Sequence, residues 1–358
     1  MPRSAIDYFV IFYVTDERWA IGINNKQLGK YQVMRKSSLE RENCSGSRIA
    51  KLHSGGADTG EVDAVGVLDS RMLPNSEFIA LWDAVIVEAS QKDRLLSQAI
   101  LNFTLREKVN RANLPLHGLI VLHGPPGTGK TSLARGLAAR TAEAVGRLGQ
   151  FRYIEVEPHA LTGAALGKSQ RAVRDLLGQT VAEQAERGPL IVLLDEVETL
   201  AADRGRMSMD ANPIDVHRAT DAVLAQLDQL AAKYPHLLFI ATSNFTRAVD
   251  GAFLSRADLI ENVGMPGPEA CRAILQSALE ELAGAFPATA SILQDADFHS
   301  AAKQCVGLDG RRIRKLVFSA CALNKQTAID PNRLSASDVL QAAKQAQAMS
   351  LCMMGEQS

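Results

Sequence analysis

An excess of either charge is missing: 39 Lys and Arg stand against 40 Asp and Glu, for a formal net charge of −1. A chain so balanced is no general polyanion binder, so nucleic acid is not its default partner. Cysteine is scarce. Cys44, Cys271, Cys305, Cys321 and Cys352 are five in number, far apart, and include no Cys-x-x-Cys pair. This argues against a disulfide framework or a zinc site and for reduced structural thiols in a cytosol-like compartment. Long apolar runs are absent too. The run Tyr8 to Val14 leads into Thr15-Asp16-Glu17-Arg18, not a small-residue cleavage site, and no stretch approaches the roughly 20 residues of a membrane span. A cytoplasmic protein is expected. There are no internal repeats or low-complexity tracts. With 46% hydrophobic and 22% charged residues, wholesale disorder, a collagen-like chain and a coiled-coil rod are excluded.

The 358 residues suggest two or three domains at roughly 150 residues each. Tyr8–Val14 and Trp19–Ile23 predict strands, and Ser45-Gly46-Ser47, Ser54-Gly55-Gly56 and Thr59-Gly60 punctuate the stretch beyond them. Residues 1–80 therefore read as a small α+β module. Ser90 to Asn110 is an amphipathic helix stopped at Asn113-Leu114-Pro115, with Leu95, Leu96, Ile100, Leu101 and Leu105 near helical spacing. From residue 116 to about 265, strands at Leu119–Leu122, Phe151–Val156, Leu190–Leu194 and Leu237–Thr242 alternate with helices, the pattern of a parallel α/β sheet. Residues 266–348 read as helices only, the last N-capped by Ser335-Ala336-Ser337-Asp338. Residues 349–358 form a frayed tail.

Gly124-Pro125-Pro126-Gly127-Thr128-Gly129-Lys130-Thr131 fits G-x-x-x-x-G-K-T between a predicted strand and helix. Glycines let backbone N–H groups turn inward onto phosphate oxygens, and the helix adds its positive end. Lys130 is expected to reach the β- and γ-phosphates of ATP, and the Thr131 hydroxyl to ligate Mg²⁺. An ordinary Gly/Pro-rich loop would not need a Lys-Thr pair in register. The apolar strand Leu190–Leu194 ends in Asp195-Glu196, costly unless the carboxylates face a cation or a site. Asp195 suits the Mg²⁺-positioning acid and Glu196 the general base that polarises water. The blander alternative, a pair capping the next helix, loses ground once the phosphate loop precedes it in an α/β background.

Asp195-Glu196, with the helical segment after residue 265, suggests the AAA+ branch of the P-loop ATPases: an α/β domain over 81–265 and a helical lid over 266–348. Asn244, in Thr242-Ser243-Asn244, then matches the sensor-1 residue that helps orient the water; alone, it would pass for a turn residue. Arg256, in Leu254-Ser255-Arg256-Ala257-Asp258, matches an arginine finger reaching the γ-phosphate of a neighbouring subunit, for which a guanidinium offers fixed bidentate donors. A lone Arg is ordinarily a surface ion pair, so this assignment depends on the family match. Gly307-Leu308-Asp309-Gly310-Arg311 opens a lid helix. Arg311 resembles sensor 2, and preferring it to Arg312 rests on the Gly-x-x-Gly-Arg pattern.

Several segments together resemble the pachytene-checkpoint ATPase family, also called thyroid-receptor-interacting protein thirteen. They are Leu81-Trp82-Asp83, Val121 to Leu133 (with Ser132 after the phosphate-loop Thr), Leu194-Asp195-Glu196-Val197-Glu198-Thr199-Leu200, Ala222 to Asp228, and the sensor and Arg256 segments above. The resemblance covers residues 80–325. It implies a ring homohexamer that uses ATP to engage and partly unfold a HORMA-domain protein, converting it from closed to open. In bacterial relatives the HORMA protein works with a cyclic-oligonucleotide synthase in anti-phage defence, and a bacterial member is the expectation here. Residues 1–80 would recruit the substrate. The family's pore-loop position reads Leu161-Thr162-Gly163-Ala164-Ala165-Leu166-Gly167-Lys168, where an aromatic is expected; Leu166 offers less area to grip an extended chain. Two other readings are a DNA-directed AAA+ ATPase, of clamp-loader or recombination type, and a nucleotide-binding scaffold. Balanced charge and the absence of an appended basic domain weigh against the first. The retained Lys130, Asp195, Glu196 and Arg256 weigh against the second.

Overall fold

The computed structural model describes two strands, at 10–15 and 18–23, and residues 62–157, 168–201, 213–245 and 248–355. The chain divides into two compact units, residues 1–55 and 56–358. In the first, β1 (Val10–Thr15) and β2 (Arg18–Ile23) pair antiparallel, Thr15 opposite Arg18. Both strands are rich in β-branched and aromatic residues, and only two residues separate them.

The second unit is built on a six-stranded sheet. Its strands are β3 (Val67–Leu73), β4 (Leu119–His123), β5 (Phe151–Val156), β6 (Leu190–Leu194), β7 (Leu237–Ser243) and β8 (Leu259–Asn262), in the order β3-β5-β6-β7-β4-β8. All neighbours run parallel except β3, which pairs antiparallel with β5. The central strands are apolar throughout because both faces are covered. Along β6, Leu190, Val192 and Leu194 enter one core, while Ile191 and Leu193 enter the other. β4 and β7 alternate between the same two cores.

Helices α1 (Ser76–Ala84), α2 (Ala89–Leu105) and α3 (Lys130–Ala144) carry the second of these cores. Gly136 lets α1 rest on α3, since a Cβ there would lie 2.6–2.8 Å from Trp82 Cβ, Cα and N. The opposite face is covered by α4 (Lys168–Asp175), a π-helical stretch at Leu176–Val181, α5 (Ala182–Glu186) and α6 (Pro213–Lys233). A four-residue helix, α7 (Gly251–Leu254), precedes β8.

The remaining chain folds over a third core into α8 (Pro268–Ala285), α9 (Ala296–Gln304), α10 (Gly310–Cys321), α11 (Lys325–Ile329) and α12 (Ala336–Gly355). Ser335 and Asp338 cap α12 reciprocally: Ser335 N–H donates to Asp338 Oδ2 at 3.0 Å, and Asp338 N–H to Ser335 Oγ at 3.3 Å. Cys271 and Cys305 are buried in this core, and burial pushes the Cys305 thiol up to about 12.

Residues 67–73, expected in the N-terminal module, belong instead to the main sheet as β3. The boundary at residue 80 is therefore too late for this element, and residues 349–355, expected in a frayed tail, instead continue α12. β3 covers an edge of the sheet and is mostly half-exposed, so it lacks the apolar run that marks the central strands. Leu161–Gly167, which includes the expected pore loop and Leu166, lies outside the described residues. Among the described residues, no helix is long and apolar enough to cross a membrane.

Candidate nucleotide site

The phosphate loop joins β4 to α3, and its glycines take the conformations that the turn requires. Gly124, Gly127 and Gly129 all have positive φ, and Gly129 is the left-handed N-cap of α3. The Lys130 side chain folds back into the loop. Its Nζ donates to Gly124 O at 2.9 Å and Pro125 O at 2.8 Å. Burial pushes this ammonium below the ordinary lysine range, while Glu198, Asp195 and Glu196 pull it back up. The loop thus holds a buried cation beside backbone N–H groups, the arrangement an anionic phosphate chain completes.

Three parallel strand ends meet beside it. Thr131, on the first turn of α3, donates its hydroxyl to Asp195 Oδ1 at 2.9 Å, with Oδ2 at 3.2 Å. Thr242, at the end of β7, donates to Asp195 Oδ1 at 2.5 Å and accepts the Glu196 N–H at 3.1 Å. Asn244 Nδ2 donates to Glu196 Oε1 at 3.1 Å. Glu196 itself has φ 51°, the single positive φ outside glycine among the described residues. That conformation is costly for a non-glycine residue and concentrates at functional positions. Glu198, one turn further on, accepts the Asn244 N–H through Oε1 at 3.1 Å, and its Oε2 is buried without a hydrogen-bond partner.

The fit to a divalent cation is that of Mg²⁺. Thr131 and Asp195 supply two hard oxygen ligands side by side, and no group of three or more His, Cys, Asp or Glu that could form a protein cage occurs among the described residues. Mg²⁺ takes one or two protein oxygens and completes its shell with phosphate and water.

A cleft of about 660 Å³ adjoins the loop, with Val87, Gln91, Thr128, Asn262, Ile274 and Gly310 in its walls. These come from α2 and the residues just before it, the phosphate loop, the end of β8 and the lid. Such a volume between two lobes suits a base and ribose. Gln91 is fixed there by Glu261, which accepts its Nε2–H at 2.7 Å and also accepts from Arg94 Nη2 at 2.5 Å.

The lid approaches through the start of α10. Arg311 N–H donates to Gly127 O at 3.1 Å. A Cβ at Gly127 would fall 2.3 Å from Asp309 Oδ1, so only glycine admits this approach. The Arg311 guanidinium is exposed, and its charge is felt at Lys130. Arg312 turns elsewhere within the lid, to Asp309 Oδ2 at 3.2 Å and Ser350 Oγ at 3.4 Å.

Arg256 does not join this constellation. Its Nε and Nη2 donate to Asp228 Oδ1 and Oδ2 at 2.8 and 2.7 Å. Asp228 in turn meets His117, just before β4, whereas the phosphate loop follows the other end of that strand. About 13 Å of strand separates the two ends. Sequence patterns alone did not mark Thr242, Glu198, Asp228 or Asp309 as site residues. Glu198 had one available signal, its place one helical turn after Asp195.

The family model described as "ATPase family associated with various cellular activities (AAA)" matches residues 120–265. CD-NTase-associated protein 6 of Pseudomonas aeruginosa is 57% identical over 286 residues, covering 80% of this chain and 94% of its own. A pachytene checkpoint protein 2 homologue of Oryza sativa subsp. indica is 35% identical over 300 residues, covering 75% of this chain and 63% of its own. Among solved structures, that of C. elegans PCH-2 superposes with a TM-score of 0.66 at 26% identity, over 81% of this chain and 78% of that one. The structure of an E. coli MS115-1 HORMA:CdnC:Trip13 complex gives 0.63 at 18% identity, over 78% and 95%, a likeness of fold.

Proposed function

The chain belongs to the pachytene-checkpoint family of AAA+ ATPases and is an ATP hydrolase, and we propose that as a ring hexamer it remodels a HORMA-domain protein. In this reading it opens the closed HORMA fold and disassembles its complexes, and so controls a cyclic-oligonucleotide synthase in cytoplasmic anti-phage defence. Support comes from the name of the relative at 57% identity, CD-NTase-associated, and from the HORMA:CdnC:Trip13 assembly in which a protein of the same fold was solved. Energy input is required because opening a stable fold works against several kcal/mol of local stability.

Within each site, the phosphate loop Gly124–Ser132, through its N–H groups from Gly127 onward and the Lys130 ammonium, binds the β- and γ-phosphates of ATP. Thr131 and Asp195 hold Mg²⁺, which when bound neutralises developing phosphate charge. Glu196 takes the proton of the attacking water, and Asn244 keeps that carboxylate and the water aligned. Arg311 closes on the nucleotide from the lid. Arg256 serves the site of the adjoining subunit, because its own phosphate loop lies beyond the far end of β4. The residues that precede β3 recruit the substrate, and the segment around Leu166 grips it.

One observation carries the hydrolytic reading: Asn244, Glu196, Thr242, Asp195 and Thr131 form an unbroken hydrogen-bonded chain beside Lys130. The test is capture with Glu196→Gln in ATP and Mg²⁺. A HORMA protein retained by that variant, and released by wild type as ATP is consumed, is the expected result. Capture that ignores nucleotide would remove the remodelling claim.

A further inference from the structure

Arg256 is held on its own protomer by a complete fork-to-fork pair. Nε and Nη2 meet the two Asp228 oxygens at 2.8 and 2.7 Å, and Nη1 donates to Ala252 O at 2.7 Å. A guanidinium bound in this way cannot also present the same edge to a phosphate, because the two acceptors compete for one set of donors. The pair sits at the surface, with side-chain exposures of 22% for Arg256 and 41% for Asp228, so an approaching subunit can reach it.

Asp228 has support that does not depend on Arg256. His117 Nε2 lies 3.3 Å from its Oδ1, and Arg111 Nη1 donates to its backbone carbonyl at 3.2 Å. If Arg256 leaves, the carboxylate keeps the His117 ring beside it, a nearby cation and solvent, so no buried charge is stranded. The same corner is wired to β4. Asp258 accepts the N–H groups of His117, Gly118 and Leu119, at 3.0, 2.5 and 3.2 Å, and it lies two residues after Arg256.

We propose that Asp228 is a positioning residue that parks Arg256 on its own protomer until the γ-phosphate of a neighbouring subunit displaces it. This rests on Arg256 acting across the subunit seam. Exchange of one bidentate anion for another lets the guanidinium change partners without passing through an unpaired state. Parking keeps basal turnover low until the seam closes.

The test compares Asp228→Asn, Asp228→Ser, Asp228→Glu, Arg256→Ala and the Asp228→Asn/Arg256→Ala double variant as full-length chains in ATP and Mg²⁺. Assembly is checked by sedimentation. Removing the carboxylate is expected to raise client-free kcat about two- to fivefold, the range a half-exposed ion pair supports, with little change in KM. Asp228→Glu should return kcat towards wild type, and the double variant should match Arg256→Ala. Assembled Asp228 variants with unchanged or reduced kcat, beside an inactive Arg256→Ala, would overturn the parking role and leave the trans role of Arg256 intact. Full turnover by Arg256→Ala would overturn both. If both removals fail to assemble while Asp228→Glu assembles, the pair is structural and the proposal also falls.

Discussion

Asn244 Nδ2 lies 3.1 Å from Glu196 Oε1. The strand end that carries Asn244 therefore controls where the base points, and Glu196, at φ 51°, has little freedom to point elsewhere. Removing the carboxylate charge while keeping its shape should spare nucleotide binding and stop the chemistry. We expect Glu196→Gln to bind ATP with near-native affinity and to lose about 10²-fold or more in kcat, the scale of a positioned general base. Nucleotide titration and phosphate release measure the two separately. Unchanged phosphate release would exclude Glu196 as the base.

Thr242 links the two acids of the site. It donates to Asp195 and accepts from the Glu196 backbone, and it is 1% exposed. Thr242→Val keeps the shape and leaves both partners short of a hydrogen bond, at a cost of about 1–3 kcal/mol. Activity should fall with it, whereas Thr242→Ser should retain most of both. Denaturant unfolding and ATP turnover, measured on the two variants together, separate the lost hydroxyl from the lost methyl.

The elements legible in sequence were those whose physics is local. The G-x-x-x-x-G-K-T loop, the apolar run Leu190–Leu194 ending in acids, and the helical spacing of Leu95, Leu96, Ile100, Leu101 and Leu105 each declare themselves within a dozen residues. That helix nevertheless buries Leu95, Ala99 and Phe103 and leaves Leu101 exposed. β3 and β8 did not. β3 is a half-exposed edge strand, and β8 is four residues long, with Glu261 buried by pairing to Gln91 and Arg94 rather than by apolar character. The roles of Asp228 and Thr242 were also out of reach, because each arises from partners far along the chain: Arg256 and His117 for one, Asp195 for the other. The helical segment from Lys168 to Glu186 is not uniform. It contains a π-helical stretch at Leu176–Val181 that its periodicity does not announce.

Gly136 marks a close approach of α3 to α1. A methyl group there would meet Trp82 backbone atoms at 2.7 and 2.8 Å, and backbone cannot rotate away as a side-chain tip can. We expect Gly136→Ala to destabilise the protein by about 1–3 kcal/mol despite the better helix propensity of alanine. Thermal unfolding of this variant should begin well below that of wild type. An equal or higher transition would show that α1 can shift without loss.

The Arg256–Asp228 pair should leave a signature in acid. The Arg256 fork holds the Asp228 carboxyl below its ordinary range, against a smaller opposing effect of burial, with His117 and Arg111 adding to the pull. A carboxyl lowered in the folded state contributes stability above its unfolded pKa of about 4, and that contribution disappears as pH falls through the lower folded value. His117 does not reverse the sign near neutrality, because burial, with help from Arg111, lowers its own pKa and favours the neutral ring. Asp228→Asn should therefore be less stable than wild type at pH 7, and the difference should close below the unfolded carboxylate range. Urea unfolding of the two proteins from pH 7 down to about 3 measures it. A difference that persists undiminished at the acid end would mean that the carboxylate charge contributes nothing to holding Arg256.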